Sequence, residues 1–283
     1  MKYKYSFEKD IKFICELTGY DISDVCEHSS VSKRNVLYSF KNEPSNNTLE
    51  KVYSFIYSQN CRLSLAKSEI FKENLKNNEM LFFHGSKYGF EEIDYKGSKS
   101  DSDFSNGFYC SDNIDSAISF VENCRHSSVY AFKANVSKLT SYEFNCDLDW
   151  MLAISYYRGR LKEYKDCKFI NNIIKKIDKA DLIIAPIADN KMFEVLNKFV
   201  DGEISSTQAL HSLSASRLGK QYVFKNKKAI SSLEFIDRFY LCDEERKYSK
   251  LLSIDNSNII QTKLDLARRE YRNKGKFIDE IFE

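Results

Sequence analysis

The chain has 283 residues, of which 42% are hydrophobic and 14% aromatic. A chain of this length and apolar content can bury two modest cores, so the composition excludes a disordered or low-complexity protein. Its 43 basic and 41 acidic side chains give a net charge of +2, which excludes a general electrostatic attraction to nucleic acid or to an anionic membrane. Binding to either partner must therefore depend on a local patch.

The first sixty residues have the apolar spacing of short helices, with hydrophobic side chains three or four positions apart. Three segments carry this spacing: residues 7–17, 32–40 and 48–57. Asp21 precedes a further short apolar stretch and is a typical N-cap, and Pro44 separates the two later segments. The pattern predicts a small all-α module over residues 1–60, followed by a helical connector over residues 61–79.

Two short helices, one after Asp21 and one from Ser32, have helix-turn-helix proportions. Their order of apolar and capping residues resembles the Cro/repressor-type helix-turn-helix family. The resemblance implies that the second helix enters the major groove of DNA. It also implies that four residues contact DNA: Ser32, Lys33, Arg34 and Asn35.

The charge of this module argues against tight DNA binding. Residues 1–60 hold eight Lys or Arg and eight Asp or Glu, so the module is neutral. Affinity for duplex DNA comes largely from neutralised phosphates, and a neutral monomer is therefore expected to bind weakly. A helical bundle that recruits a protein partner or dimerises is the alternative interpretation, and the sequence leaves both open.

From Met80 onwards the sequence alternates between strands and helices. Strands are predicted at residues 81–86, 107–111, 129–136, 182–185, 221–224 and 235–236. Helices are predicted at residues 114–121, 149–161, 169–177, 192–199, 206–213 and 258–271. The combination predicts an α+β domain with a mixed sheet over residues 80–241 and a helical C-terminal tail over residues 242–283.

Eight cysteines are scattered along the chain without a C-x-x-C pair or zinc-ligand spacing. The first residues lack the apolar core of a signal peptide, and no apolar run is long enough to span a bilayer. These features predict reduced, mostly buried thiols in a cytoplasmic protein with no bound metal and no membrane association.

Histidine and tyrosine mark two of the predicted strands. Residues 84–86 read His-Gly-Ser at the end of the first strand, where a histidine projects over a cleft and a glycine lets a ligand approach the backbone. Gly107 opens the next strand, Tyr109 follows it, and Phe120 comes eleven residues later. A single His beside a Gly is more often structural, so only its combination with Gly107, Tyr109 and Phe120 indicates a ligand site.

This combination resembles the poly(ADP-ribose) polymerase and diphtheria-toxin-like branch of the ADP-ribosyltransferase superfamily. Members carry H-G-[ST], G-x-Y, a second aromatic residue and a late strand led by a catalytic Glu; here Gln221 leads that strand. The chain is also similar to a bacterial domain family of unknown function within that superfamily. Four blocks carry this likeness in order: residues 82–86, 103–109, 181–189 and 221–224. The resemblance implies a split mixed β-sheet of the ADP-ribosyltransferase type, preceded by the small all-α helix-turn-helix domain.

The resemblance also implies a site for NAD as co-substrate, without a metal. His84 would hydrogen-bond a ribose hydroxyl, and the backbone of Gly85 would hold the nicotinamide carboxamide. Ser86 would support the ribose or the histidine. Tyr109 and Phe120 would stack on the two faces of the nicotinamide ring, which is flat and electron-poor.

Gln221 stands where the family has its catalytic Glu. Breaking the glycosidic bond builds positive charge on the ribose, and an acceptor at the 2′-hydroxyl stabilises it. An amide oxygen accepts that hydrogen bond without a full negative charge, and charge-assisted hydrogen bonds are roughly twice as strong as neutral ones. Three interpretations are open: a slower mono-transferase, a transferase whose missing charge comes from Glu203 or Asp189, and a domain that binds NAD or ADP-ribose without turnover.

Two neighbouring features have simpler interpretations. Residues 95–106 predict a loop rich in Ser, Asp and Gly, and the stretch 101–107 is interpreted as a solvated loop over the NAD cleft. Arg158 and Arg160 are candidates for a bidentate contact with the NAD diphosphate, but an exposed helix end is the favoured interpretation.

The sequence thus predicts a mono-ADP-ribosyltransferase with catalytic residues His84, Tyr109 and Gln221, which passes ADP-ribose to a protein or nucleic-acid acceptor. The resemblance associates such proteins with toxins, phage-defence effectors or self-regulating loci, and with an antitoxin or inhibitor protein as a further partner. One alternative is a non-catalytic NAD or ADP-ribose sensor that controls a DNA-binding N-terminal module. Another is a transcription regulator whose C-terminal domain only dimerises.

Overall fold

The computed structural model describes residues 3–98, 101–214 and 219–283, which form two compact units. The first unit comprises Met1–Glu92, Ser111–Val136 and Leu233–Leu251. The second comprises Ile93–Cys110, Ser137–Ser232 and Leu252–Glu283. Each unit is therefore assembled from three separate stretches of the chain.

The helices that lie entirely in the described part of the first unit are α1 Phe7–Thr18, α2 Ile22–His28, α3 Lys33–Lys41, α4 Asn46–Ser58, α5 Leu63–Glu73 and α6 Ile114–Ser119. Helix α1 ends at Gly19, whose φ of 75° permits the left-handed conformation of a C-cap. The side chains of Asp21, Ser32 and Ser45 cap α2, α3 and α4 by accepting a backbone N–H from the first turn. The predicted helical N-terminal region is confirmed.

Strands of the first unit are β1 Met80–Ser86, β3 Ser128–Ala134 and β7 Glu234–Tyr240, together with the last residue of β2 Phe108–Ser111. Their order is β2-β1-β3-β7, and the pairs are antiparallel. One apolar face of these strands packs with α6 through Phe83, Val129, Ala131 and Phe239. Strand β3 is buried at six of its seven positions, so both of its faces are covered, and it lacks the alternation of buried and exposed positions that is typical of a half-covered strand.

The N-terminal helices share a core with strand β7. Phe7, Ile11, Val36 and Val52 are buried in one cluster that also contains Tyr240 at the end of β7. The predicted boundaries at residues 60 and 80 therefore do not coincide with the limits of the compact unit. A helical module with the proportions of an independent domain is packed here against strands from later in the chain.

A buried lysine reinforces this packing. The Nζ atom of Lys67 lies 2.5 Å from Oδ1 of Asp10 in α1 and forms an ion pair with Asp237 of β7. The hydroxyl of Tyr53 donates to Oδ2 of Asp10 at 2.5 Å. Burial lowers the pKa of Lys67, but the two flanking carboxylates outweigh it and the net shift is upward. The lysine is therefore charged at neutral pH and links three helices to a strand.

Strands of the second unit are β4 Ser141–Glu143, β5 Leu182–Pro186, β6 Lys220–Phe224 and the first three residues of β2. Their order is β4-β5-β6-β2. Strand β5 is parallel to β4 and antiparallel to β6, so the sheet is mixed, as predicted. A Cβ at Gly107 would lie 2.4 Å from Cγ1 of Val223, so the approach of β2 to β6 requires glycine at this position.

The described helices that begin in the second unit are α7 Leu148–Tyr157, α8 Lys168–Lys179, α9 Asn190–Val200, α10 Ser206–Leu213, α11 Lys227–Ile230 and α13 Ile278–Phe282, with a 3-10 turn at Lys162–Tyr164. Helix α12, Asp243–Glu270, starts in the first unit and continues into the second. Ile260 and Leu264 of α12 join a core with Trp150 and Phe199. The apolar seam predicted for this helix is confirmed, but the helix begins fifteen residues before the predicted start at residue 258.

The fold is thus α+β, as predicted. Among the described residues, no helix has the length and apolar character needed to cross a membrane. All eight cysteines are free thiols. Within the same residues, no group of three or more His, Cys, Asp or Glu side chains has the arrangement of a metal site.

Candidate functional site

The His-Gly-Ser segment ends strand β1 of the first unit. His84 lies opposite Tyr130 of β3. Its imidazole is half-buried and meets the ring of Phe90 edge-on, with the ring centroids 5.5 Å apart. The Oγ atom of Ser86 accepts a hydrogen bond of 3.1 Å from the backbone N–H of Gly89. This serine therefore closes the turn after the strand, a structural role beside the ribose contact that the resemblance implies.

A row of aromatic and cationic side chains continues from His84. Tyr130 lies opposite His84 on β1 and opposite Arg238 on β7, so the three side chains share one face of the strands. Phe90 covers Tyr130 with ring centroids 4.3 Å apart. The guanidinium of Arg238 lies 4.0 Å from the ring centroid of Tyr5. The imidazole is thus flanked on one side by packed aromatic rings.

Gly85 has a packing requirement of its own. A Cβ at this position would lie 2.3 Å from the carbonyl oxygen of Ala117 in α6 and 3.2 Å from Cγ1 of Val121. No side chain fits there without displacing the helix backbone. Phe120, at the C-terminal end of α6, is 59% exposed, so its ring lies open to solvent.

Tyr109 lies on β2 in the second unit. Its hydroxyl donates to the carbonyl of Ser105 at 2.6 Å and accepts from the backbone N–H of Phe104 at 3.0 Å. Burial raises the pKa of this phenol, so it remains protonated and able to donate at neutral pH. The phenol therefore fastens the segment of residues 101–106, which we call the Asp103 loop.

Gln221 lies on β6 and is buried, with 4% of its surface exposed. Its Nε2 atom donates two hydrogen bonds, one of 2.9 Å to Oδ2 of Asp103 and one of 3.0 Å to the carbonyl of Pro186. A primary amide carries two N–H donors, and both are used here.

Asp103 connects Gln221 to an arginine. Its Oδ1 atom accepts from Nε of Arg158 at 2.7 Å and lies 2.6 Å from Nη2. The same guanidinium donates to the carbonyl of Ala188 at 3.2 Å and lies 4.2 Å from the ring centroid of Phe193. A buried carboxylate is stable only when it is paired, and Asp103 divides its two oxygens between a cation and an amide.

Lys225 holds the other end of the Asp103 loop. Its Nζ atom donates to the carbonyls of Phe104 at 2.5 Å and Asn106 at 2.7 Å. Burial lowers the pKa of this ammonium to about 8. Four side chains of the second unit thus fix the loop: Tyr109, Arg158, Gln221 and Lys225.

Residues 80–235 match the family described as "Protein of unknown function (DUF3990)", which is more than half of the chain. The chain belongs to the DUF3990 family. No curated protein and no solved structure matches the chain significantly.

Within the DUF3990 region, two of the three predicted catalytic residues meet on one loop. Tyr109 and Gln221 both hydrogen-bond to the Asp103 loop of the second unit. His84 belongs to the first unit, as do the other predicted binding residues Gly85, Ser86 and Phe120. The histidine, the tyrosine and the glutamine lie on strands β1, β2 and β6, the elements predicted for them.

Sequence reasoning missed the roles of Asp103 and Arg158 in the DUF3990 region. Asp103 stands in the D-F-x-x-G-F-Y block, but the segment was expected to be a solvated loop. That expectation is wrong for Asp103 and Phe104, which are both buried. Arg158 was expected at an exposed helix end, and its side chain instead pairs with Asp103. The sequence signal that could have indicated a buried role was Asp103 itself, which stands directly beside Phe104 in that block.

The two carboxylates considered as replacements for the catalytic Glu have other partners. Glu203 pairs with Arg268 at 3.4 Å on an exposed surface. Asp189 caps helix α9 through its side chain. The carboxylate that contacts Gln221 is Asp103.

The four residues predicted to contact DNA lie at the start of α3, and all four are exposed. Ser32 caps the helix by accepting the backbone N–H of Asn35 at 3.3 Å. Lys33 reaches back to the preceding helix, where its Nζ donates to Oγ of Ser23 at 2.9 Å. The four residues therefore lie on the surface of the first unit.

Proposed function

We propose that the protein is a mono-ADP-ribosyltransferase that cleaves NAD at the nicotinamide glycosidic bond and transfers ADP-ribose to a macromolecular acceptor. The bond between C1′ of the ribose and N1 of nicotinamide breaks, and its electron pair leaves with nicotinamide. The acceptor's nucleophilic atom forms the new bond to C1′ and loses its proton to solvent. NAD is the substrate of this reaction.

One observation carries the proposal beyond the sequence likeness. Tyr109 and Gln221 are far apart in the chain, yet both hydrogen-bond to the Asp103 loop, in which Asp103 and Phe104 are buried. Burying the amide of Gln221 and the carboxylate of Asp103 together costs free energy unless each group is hydrogen-bonded. Groups with shifted pKa values concentrate at functional sites, and burial raises the pKa of Tyr109, so the network supports a chemical role for the two motif residues it includes.

The roles of the individual residues follow the resemblance. Tyr109 would stack on the nicotinamide ring. The amide oxygen of Gln221 would accept a hydrogen bond from the 2′-hydroxyl of the ribose as positive charge develops on the sugar. His84 would bind a ribose hydroxyl. Because Gln221 lacks the full charge of a glutamate, transfer of single ADP-ribose groups is favoured over elongation of a polymer.

The test is nicotinamide release from NAD, followed by mass spectrometry. We expect the wild type to release nicotinamide and Gln221→Ala to lower kcat about 100-fold, the scale for losing one transition-state hydrogen bond. Gln261→Ala is a matched control, because that amide also bonds to an aspartate, Asp265 at 3.0 Å, but on an exposed helix face. The proposal fails if the wild type releases no nicotinamide.

The second candidate is a regulator that binds NAD or ADP-ribose without turnover and contacts DNA through its N-terminal helices. The exposed start of α3, with Lys33 and Arg34, is the observation that favours it. Intact NAD recovered from the protein, without free nicotinamide, would support this candidate. DNA binding that weakens steeply with salt, without any effect of NAD on stability, would instead indicate a transcription regulator with a dimerising C-terminal domain.

A further inference from the structure

A glutamine side chain has two ends of similar shape and opposite hydrogen-bonding character. The oxygen accepts hydrogen bonds and the nitrogen donates them, and a half-turn of the amide exchanges the two. Only the oxygen end can accept a hydrogen bond from a ribose hydroxyl. Whether Gln221 can replace a catalytic glutamate therefore depends on what fixes the orientation of its amide.

The neighbours of Gln221 permit one orientation. Oδ2 of Asp103, at 2.9 Å, and the carbonyl oxygen of Pro186, at 3.0 Å, both contact the amide nitrogen. An ionised carboxylate and a backbone carbonyl accept hydrogen bonds and donate none. The reversed amide would place its oxygen against two other oxygens. The nitrogen end must therefore face these acceptors, and both of its hydrogens are used.

Arg158 occupies one carboxylate oxygen of Asp103 and leaves the other for Gln221. Two nitrogens of the guanidinium contact Oδ1, at 2.7 Å and 2.6 Å, which leaves Oδ2 for Gln221. The guanidinium is itself held by the carbonyl of Ala188 and the ring of Phe193. Oδ2 of Asp103 is thereby placed as the acceptor for the amide of Gln221.

We propose that Asp103 is a positioning residue that orients and polarises Gln221, so that the amide oxygen substitutes for the carboxylate of related enzymes. The inference rests on the proposed function. The negative charge that Gln221 lacks is supplied one hydrogen bond away, through the N–H of the amide. A hydrogen bond to a charged acceptor draws electron density toward the amide oxygen, because linked hydrogen bonds polarise one another.

A double-mutant cycle on nicotinamide release tests whether Asp103 acts through Gln221. Asp103→Asn leaves one acceptor oxygen where the carboxylate has two, so it cannot serve Arg158 and Gln221 equally. We expect D103N to lower kcat about tenfold with little change in KM, and to have no further effect in a Gln221→Ala background. An equal loss in both backgrounds overturns the inference, because Asp103 then acts independently of Gln221.

An exchange of the two groups tests the direction of the hydrogen bond. Gln221→Glu alone places two carboxylates side by side, and we expect it to lower kcat despite creating the residue that related enzymes carry. In the double variant D103N/Q221E, the Asn nitrogen can donate to the new carboxylate, and we expect kcat to recover at least tenfold over Q221E. Activity of Q221E equal to or above the wild type, with no gain from adding D103N, overturns the inference.

A measurement without catalysis separates this inference from the proposed function. The chain has four glutamines, so selective ¹⁵N-glutamine labelling yields four side-chain amide pairs, and Gln221→Ala assigns the relevant one. We expect D103N to shift the Gln221 pair and leave that of Gln208, which is bonded elsewhere, in place. Asp265→Asn is the matched control and should shift only Gln261.

The outcomes of the two experiments are distinct. A wild type that releases no nicotinamide contradicts the proposed function, and the Gln221 resonance still reports whether Asp103 holds the amide. A Gln221 resonance unchanged by D103N overturns the inference whatever the activity.

Discussion

The two compact units bury charged side chains for different purposes. In the first unit, Lys67 is enclosed by Asp10 and Asp237, and Tyr53 completes the cluster. Each of these residues belongs to a helix or strand, and none belongs to a sequence motif. The cluster joins the N-terminal helices to strand β7, which is a structural task.

In the second unit, the buried charge of Asp103 is divided between Arg158 and Gln221. The aspartate lies on a loop, the arginine at the end of a helix and the glutamine on a strand, and the glutamine is a motif residue. Burial of charge alone therefore does not indicate function. What distinguishes the second network is that it includes Gln221 and fixes the loop that Tyr109 also holds.

The largest expected effect is on stability, in the first unit. Lys67→Ala leaves two buried carboxylates facing each other without a cation, and breaking a buried ion pair costs about 3–5 kcal/mol. We expect the free energy of unfolding, measured by urea denaturation, to fall by about 3 kcal/mol. Lys72→Ala, which breaks an exposed pair with Glu69, should change it by less than about 0.5 kcal/mol. Similar effects of the two variants would contradict a structural role for the buried cluster.

In the second unit, the same kind of change should affect both stability and activity. Arg158→Ala leaves Asp103 without its cation, and because the arginine is partly exposed we expect a loss of about 2 kcal/mol. We also expect nicotinamide release to fall at least tenfold, because Asp103 would no longer orient Gln221. Arg160→Ala removes an exposed pair with Asp201 and is the control. An Arg158→Ala variant that is destabilised but fully active would show that the Asp103 network, like the Lys67 cluster, has only a structural role.

The stability contributions of buried Lys67 and half-buried Lys225 should respond to pH with opposite signs. The folded pKa of Lys225 is about 8, below the value of about 10.4 for an unfolded lysine, so the unfolded chain binds more protons between these values. The stability of the wild type relative to Lys225→Met should therefore rise by about 3 kcal/mol from pH 7.5 to 10.5.

Lys67 has a raised folded pKa, so its contribution is complete below the unfolded pKa of about 10.4 and is lost as pH rises through the folded value. The stability of the wild type relative to Lys67→Ala should accordingly fall above about pH 10.4. Denaturation series at several pH values measure both trends. Slopes of the same sign for the two lysines would contradict the opposed shifts.

The smallest effect concerns the exposed charges of the first unit. If α3 contacts DNA, Arg34→Ala should weaken binding a few-fold. It should also reduce the slope of log K against log salt concentration by about one, the value for one lost phosphate contact. Lys9→Ala, on an exposed position of α1, should leave both unchanged. Fluorescence anisotropy with duplex DNA at several salt concentrations measures both quantities. Equal effects of the two variants would contradict a DNA contact by the start of α3.

The sequence predicted those elements whose apolar period is long enough to detect. Strands β1, β2 and β6 and helix α10 lie where the pattern placed them. Strand β4 and helix α11 were missed because each has too few residues to show a period. The first half of α12 was missed because it buries Glu245 and Arg246 instead of an apolar stripe.

The site was predictable only in part. The motif spacing identified Tyr109 and Gln221, because family patterns record residue types. The pairing of Asp103 with Arg158 joins positions more than fifty residues apart, and periodicity reports which face a residue occupies but not its partner. A long-range polar pair of this kind becomes visible only when the loop and the helix end are seen together.

The tight contact between Gly85 and helix α6 affects how mutational scans of this motif should be interpreted. Any substituent at position 85 first pushes against the carbonyl oxygen of Ala117, before a substrate is involved. Loss of activity in a Gly85→Ala variant could thus result from displacement of the α6 backbone as readily as from loss of a substrate contact. Selection would preserve this glycine even in relatives that bind nothing there, so its presence in a distant homologue is weak proof of shared chemistry.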